Sequence, residues 1–411
     1  MSKRTLKTLA ATGLATMILS SIAAADARSS RPGRLLSEQE VADAMVGAQI
    51  LATRGSASEG YIKRALEAMK QGKQFRLLSI EDLPEDGTVV SPSGVGGGTP
   101  WPHILDRAKA QGLPSVPNAA LSSVRALGRR LNKEFSAVVQ NEPAGSTYVA
   151  FMIAAELDIP ILDGCLSGRA RPEIQQQIPF AEGIPGTPAA LVSRWGDVIF
   201  IESAADDYRL EDLSRALAVA SGGGIQMAQN AMSKSEVRRG VIPGVISQSI
   251  LFGRTVREAR LKGTDPVEAL CRVAGGFVLF RGAVSKSEHR GEFGFAWGDV
   301  EMRGTGPDEG HVYKLFIKNE NIMGWRDGKP DAMPPDLICN LDAKTGEALL
   351  TWREKGYPLG QEVVLVGIPA PREWRTARGL EIMGPRHFGF DLDYIPLEDL
   401  QKARTAAAAS L

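Results

Sequence analysis

The chain has 411 residues, 43% of them hydrophobic and 23% charged, which suits two ordinary folded domains or one large one and excludes a disordered chain. Lys plus Arg and Asp plus Glu both number 48, so there is no basic excess of the kind that marks a nucleic-acid or polybasic membrane binder. With four His and three Cys, a His-rich metal site or a zinc ribbon is close to excluded.

Residues 1–27 read as an export signal. Lys3, Arg4 and Lys7 form a basic start, Thr8 to Ala25 an apolar run, and Ala25-Asp26-Ala27 a small-x-small cleavage pattern. Cleavage after Ala27 would send the mature chain to the periplasm or the extracellular space, with no stable membrane insertion. Cys165, Cys271 and Cys339 share no motif spacing; buried free thiols, or one bridge, are expected.

An α/β domain is predicted over 37–272. Ser37-Glu38-Gln39-Glu40 is a capping box that opens a helix to about residue 52. The small-residue loop Thr53-Arg54-Gly55-Ser56-Ala57 follows, then a helix over 59–71. Strands are predicted at 75–80, 88–90, 135–140, 159–162 and 198–201. Helices fall between them near 101–111, 119–133, 146–157, 209–220 and 245–262, the alternation that builds a parallel sheet covered by helices. From about Gly275 the pattern becomes short strands: 277–288, 293–303, 312–318, 336–341, 347–353 and 362–367. Asp327-Gly328 and Thr345-Gly346 are hairpin-type signals. A mainly-β barrel or sandwich is therefore predicted over 273–398, followed by a tail over 399–411 whose Ala-rich run at 406–409 is expected to fray.

In an open parallel sheet, ligands bind outside the carboxyl ends of the strands. Strand 88–90 runs toward Ser93, Gly94 and further glycines. Strand 135–140 runs into Asn141-Glu142-Pro143-Ala144-Gly145-Ser146-Thr147, and strand 159–162 into Asp163-Gly164-Cys165 and Arg169 to Glu173. If these strands are neighbours, Glu142, Asp163, Cys165, Arg169 and Glu173 converge on one rim. Carboxylates there suit general acid–base work, and an Arg suits a developing negative charge. Each has a plainer alternative. Glu142 and Asp163 would serve as helix caps, Arg169 and Glu173 as an i,i+4 ion pair, and Cys165 as a small core residue. The loop at Gly94–Gly98 lacks the Lys of a P-loop and does not fit a dinucleotide fingerprint.

The sequence resembles the S-methyl thiohydantoin desulfurases, from about Glu40 to Pro396. Ile159-Pro160-Ile161-Leu162-Asp163, Gly168-Arg169-Ala170, Pro172-Glu173 and Asp265 to Leu270 carry the resemblance. So do Pro335-Asp336, Thr345-Gly346-Glu347, Trp374, Gly379-Leu380-Glu381, Gly384-Pro385 and Phe388-Gly389. The resemblance implies an α/β domain joined to a β-barrel domain. It implies hydrolysis of a small cyclic amide or thioamide, of hydantoin or thiohydantoin type, with loss of a thiol. Glu142 or Asp163 would be the general base and Arg169 would stabilise charge. Glu173, Ser146, Thr147, Thr53, Gly55, Ser93 and Gly94 would contact substrate. No nicotinamide, flavin or nucleotide is called for; a divalent metal held by carboxylates stays open. The chain departs from the family pattern in the loops after the first helix and after Glu142, and in carrying Cys165 where an acidic residue is favoured. A non-catalytic exported binding protein on the same scaffold is therefore the alternative. A subunit working with a hydantoinase-like partner, or as a homo-oligomer, is the third reading.

Overall fold

The computed structural model describes residues 32–55, 58–96, 100–349 and 356–409. The expected export signal, Ser56-Ala57, Gly97-Gly98 of the glycine loop and residues 350–353 of an expected strand lie outside the described residues.

The first sheet contains β1 (Arg34–Leu35), β2 (Arg76–Leu78), β3 (Thr88–Gly96), β4 (Ala137–Gln140), β5 (Ile161–Cys165), β6 (Ala189–Val192), β7 (Val198–Ile201), β8 (Gly224–Ser233) and β9 (Ile242–Pro243). Their spatial order is β1-β2-β5-β4-β3-β8-β6-β7, with β9 against β5. β2, β5, β4 and β3 run parallel; β8 and β6 continue the sheet antiparallel. β4 is buried along its whole length, as expected of a parallel strand covered on both faces.

Helices pack on this sheet because their ends are specified locally. Ser37 and Glu40 form the capping box of helix Glu38–Leu51, and Asn118 caps Ala119–Leu131. Helices Glu38–Leu51 and Val245–Leu261 cross at two glycines. A Cβ on Gly47 would lie 1.9 Å from the Ser249 carbonyl oxygen, and one on Gly253 2.0 Å from that of Asp43. Arg257 closes the crossing with two hydrogen bonds of 2.9 Å to the Asp43 carboxylate.

The second sheet is a curled antiparallel half-barrel. It is formed by β10 (Phe277–Glu292), β11 (Phe295–Gly304), β12 (Val312–Lys318), β13 (Glu320–Arg326), β14 (Lys329–Ala332), β15 (Leu337–Leu341) and β16 (Glu362–Ile368). Its order is β14-β13-β12-β11-β10-β16-β15. Alternate residues such as Val300, Met302, Tyr313, Leu315 and Ile317 fill its interior. Another apolar cluster crosses between the halves, joining Cys165, Val245 and Phe252 to Cys339, Val366 and Trp374.

The fold class is the one expected: an α/β part with a parallel-containing sheet, then a mainly-β part. Several elements differ. β3 extends to Gly96 because β8, which the sequence reading passes over, pairs with it along nearly its whole length. β6, β13 and β14 are further strands that the reading does not contain. The expected tail instead belongs to a helix, Leu397–Ala409. Gln401 and Arg404 anchor it, donating to Asp331.

Candidate active site

The parallel order places β4 between β5 and β3, so the three strand ends marked in the sequence are neighbours. They do not form one site. Asp163 sits within β5, and its carboxylate accepts from the Ser247 N–H at 3.0 Å and the Ser247 hydroxyl at 2.6 Å. It thus holds the first turn of helix Val245–Leu261, and it lines a separate pocket of about 320 Å³ with Arg238 and Arg239. The expected convergence with Glu142 fails because β5 turns its Asp toward the helix that follows β9.

Arg169 is fully buried. Its guanidinium donates to the carbonyls of Pro335 (2.7 Å), Asp336 (2.9 Å), Asn321 (3.4 Å) and Ala170 (3.1 Å). Burial pushes its pKa down to about 10. This is a clamp between the two sheets, and a side chain with its donors spent on four carbonyls is not the substrate-facing cation expected. Nor are Arg169 and Glu173 an i,i+4 pair, because residues 166–177 form no helix. Glu173 instead meets Lys318 at the end of β12 and the His387 Nε2 at 2.7 Å. Burial alone would raise its pKa, but the His387 hydrogen bond and the Lys318 charge outweigh that and bring it to about 2.

A cleft of about 730 Å³ opens between the two halves. From the α/β side, Gly94 and Gly96 of β3, Glu142, Arg171 and Arg215 line it; from the β side, His289, Phe295 and Glu320 do. Glu142 follows the carboxyl end of β4, and its Oε2 accepts the Arg171 N–H at 2.9 Å. Arg171 is buried, and its Nη2 donates to the Asn141 Oδ1 at 2.7 Å and to Gln177 at 3.4 Å. Burial lowers the Arg171 pKa, opposed by the charge of Glu142. Arg215 ties three walls together. It donates to the carbonyls of Gly96 (2.6 Å), Pro172 (2.6 Å) and Gly294 (3.3 Å), and its guanidinium lies 4.3 Å from the Phe295 ring centroid. Glu211 balances its charge.

The expected substrate contacts divide. Gly94 lines the cleft, and Ser93 lies buried beside it. Thr147, in the first turn of helix Gly145–Leu157, donates to Gln140 at 2.6 Å, while Ser146 beside it is half-buried. Thr53 accepts from the Asn340 N–H at 3.2 Å and so joins the β part. Gly55 is a glycine for a steric reason: a Cβ there would lie 2.0 Å from the Gln49 carbonyl oxygen. Cys165 is buried and its thiol is pushed up to about 11 by burial, the opposite of an activated nucleophile. All three cysteines are free. Among the described residues, no group of three or more His, Cys, Asp or Glu is placed to hold a metal ion.

The sequence reading misses Arg171, Arg215, His289, Glu320, Lys318 and His387 as site or near-site residues. Arg171 and His387 stand within or beside the short segments that carry the family resemblance, which was a usable signal. The others come from strands and a helix whose approach to the cleft only the assembly of the two sheets decides.

An α/β half and a β half meeting at a polar cleft define the class of protein, and sequence comparison places the chain within it. The chain matches the S-Me-THD-like N-terminal domain over residues 39–203 and the S-Me-THD-like C-terminal domain over residues 205–397. It belongs to the S-Me-THD-like family. The division between the two family domains falls ahead of β8, although β8 and β9 complete the first sheet. No curated protein matches the chain. A solved structure of a protein from Chromobacterium violaceum is similar in fold, with a TM-score of 0.70 at 17% identity over 89% of this chain and all of that one.

Proposed function

We propose that the protein is a hydrolase of a small five-membered cyclic amide or thioamide, removing a thiol from an S-methyl thiohydantoin-like ring in the interdomain cleft. The supporting observation is Glu142 at the carboxyl end of the central parallel strand, facing a cleft that carries Arg171 and His289, in a chain of this family. Glu142 takes a proton from water as the water oxygen bonds to the ring carbon bearing sulfur. The ring nitrogen that takes up the C=N electron pair receives the second water proton, the C–S bond breaks, the thiolate leaves with the proton returned from Glu142, and the added oxygen becomes a ring carbonyl. Water and the S-methyl ring are consumed; methanethiol and the hydantoin are formed. Export through residues 1–27 belongs to the same proposal and rests on the sequence alone.

Thiol release from S-methyl thiohydantoins, followed with a thiol-reactive chromophore, tests the reading. Glu142→Gln keeps shape and removes the base, so the rate should fall on the order of a hundredfold to ten-thousandfold. Full activity in that variant would move the base elsewhere. A wild-type protein that binds the ring without turning it over would favour the binding-protein reading, which the buried Cys165 in place of a family acid also favours.

A further inference from the structure

β3 outruns its parallel neighbour. Val90 lies opposite Val138 and β4 ends at Gln140, whereas β3 continues to Gly96. Over that extension β3 pairs only with β8, on its other side. Gly94 and Gly96 are exposed there, and both line the interdomain cleft together with Glu142.

Along a strand, the N–H and C=O of one residue point to one side and those of the next residue to the other. The neighbouring ladders therefore fix which way Gly94 points. The Ser193 N–H donates to the Asp197 carbonyl across the β6–β7 hairpin at 3.0 Å. Leu191, two residues back, faces β7 as well, so Ala190 and Val192 face β8, opposite Ala228 and Gln226. Met227 and Ile225 then face β3, opposite Ser93 and Val95. Gly94 and Gly96 are left facing away from β8. Two further observations agree. The Gly96 carbonyl accepts from Arg215 of the cleft wall at 2.6 Å. Pro92, which has no N–H to give, shares the parity of Gly94, where the β8 ladder needs none. Among the described residues, the Gly94 N–H and carbonyl enter no turn, loop or side-chain hydrogen bond. Neither glycine has a positive φ. A Cβ on Gly96 would meet only the end of Arg215 at 3.8 Å, and one on Gly94 the end of the Gln226 side chain at 3.3 Å. Backbone geometry does not demand these glycines; close approach of a ligand to the main chain is the other use of glycine in a strand.

We propose that the bare edge of β3 at Gly94 is the ring-holding element of the cleft, and that its ligands are planar rings carrying a cis amide, –NH–CO–. The Gly94 N–H donates to the ring carbonyl oxygen and the Gly94 carbonyl accepts from the adjacent ring N–H, as a neighbouring strand would. A ring forces its amide N–H and C=O onto one edge, whereas an open-chain trans amide points them in opposite directions. The edge thus selects cyclic amides. With the Gly96 carbonyl taken by Arg215, it offers too few groups for an added peptide strand. A ring held there lies in the same cleft as Glu142. This inference rests on the cleft being the site of a cyclic amide, as proposed above.

Residue-resolved amide hydrogen exchange on the wild-type full chain, free and with saturating probe, is the test. In the free protein Gly94 should exchange about a hundredfold or more faster than Ser93 and Val95. Hydantoin should slow Gly94 about tenfold or more. Its 1,3-dimethyl derivative, which has no ring N–H, and N-methylacetamide, an open trans amide, should leave Gly94 unslowed and bind about tenfold or more weaker by calorimetry. Gly94→Pro removes the donor where the β8 ladder loses nothing, and should weaken hydantoin to a similar degree; the exchange series does not depend on that variant folding. A Gly94 amide already protected in the free protein would overturn the inference, since the edge would not be bare. Hydantoin and its dimethyl derivative binding alike, with Gly94 unslowed, would also overturn it, while the cleft would remain a cyclic-amide site. Slowing by an extended tripeptide and not by hydantoin would give the edge to a strand and overturn it too. If the folded wild-type protein binds neither hydantoin nor any S-methyl thiohydantoin, both the cyclic-amide reading and this inference fall.

Discussion

Glu173 shows how a carboxylate can look catalytic in a sequence and act structurally. Its oxygens are spent on Lys318 and His387, both from the β half. The folded pKa of about 2 lies below the ordinary 4.5. Stability from this carboxylate is therefore fully present above about pH 4.5 and is lost as pH falls toward 2. Glu173→Gln leaves Lys318 and the His387 ring facing a neutral group and should cost about 3–5 kcal/mol at neutral pH. Its stability should also fall less steeply than that of the wild type between pH 4.5 and 2, as read by denaturant melts at a series of pH values. Arg169 makes the same point with the opposite charge. Arg169→Lys keeps the charge but cannot reach the carbonyls of Pro335, Asp336 and Asn321 with one planar fork. A loss of about 3 kcal/mol or more is expected, with the rate per folded molecule unchanged. A rate loss without a stability loss would return Arg169 to the chemistry.

At the scale of elements, the β10–β11 hairpin supplies one wall of the cleft. Its tip reaches Gly294, and Phe293 beside it is 87% exposed, so little apolar packing holds it. Arg215 does, through the Gly294 carbonyl and the face of Phe295. Arg215→Ala should speed amide hydrogen exchange in residues 290–296 and leave β12 and β13 protected; unchanged exchange would show that strand pairing alone fixes the tip. The crossing of helices Glu38–Leu51 and Val245–Leu261 is the contrasting case. Backbone lies against backbone at Gly47 and Gly253, and neither glycine stands out from the sequence, where both read as interior helix positions. The first of these helices was legible from its capping box, and the turn at Asp327-Gly328 was legible too, with φ of +49° and +79°. β8 was not, because its central residues Met227, Ala228, Gln229 and Asn230 carry no alternation.

Taken whole, the molecule is two sheets sharing core and charge. Trp374 of the β half donates from its indole to the Ser167 carbonyl at 2.7 Å. Arg54 reaches the Asn319 carbonyl at 3.2 Å, and the apolar cluster around Cys165, Phe252 and Val366 spans both parts. The halves should therefore melt as one cooperative unit: a single calorimetric transition, coincident with that of the tryptophan fluorescence. Two separated transitions would show that the halves unfold as separate cooperative units.

By itself the sequence determined what is written in short-range patterns: the capped helices, the buried runs of the parallel strands, the change to β structure near Gly275 and the family. It also marked Glu142 and Gly94, since a strand end followed by polar and glycine residues is a local signal. Only the tertiary structure decided which marked residues share a site. Asp163 lies in one parallel strand and Glu142 just beyond the end of its neighbour, yet one carboxylate turns to Ser247 and the other to the cleft. Arg169 and Arg171 are two residues apart, yet one clamps the halves together and the other lines the space between them. Where a side chain points depends on what packs against its strand end, and for Asp163 and Arg169 those partners come from 84 and 166 residues away along the chain, beyond the reach of any local pattern.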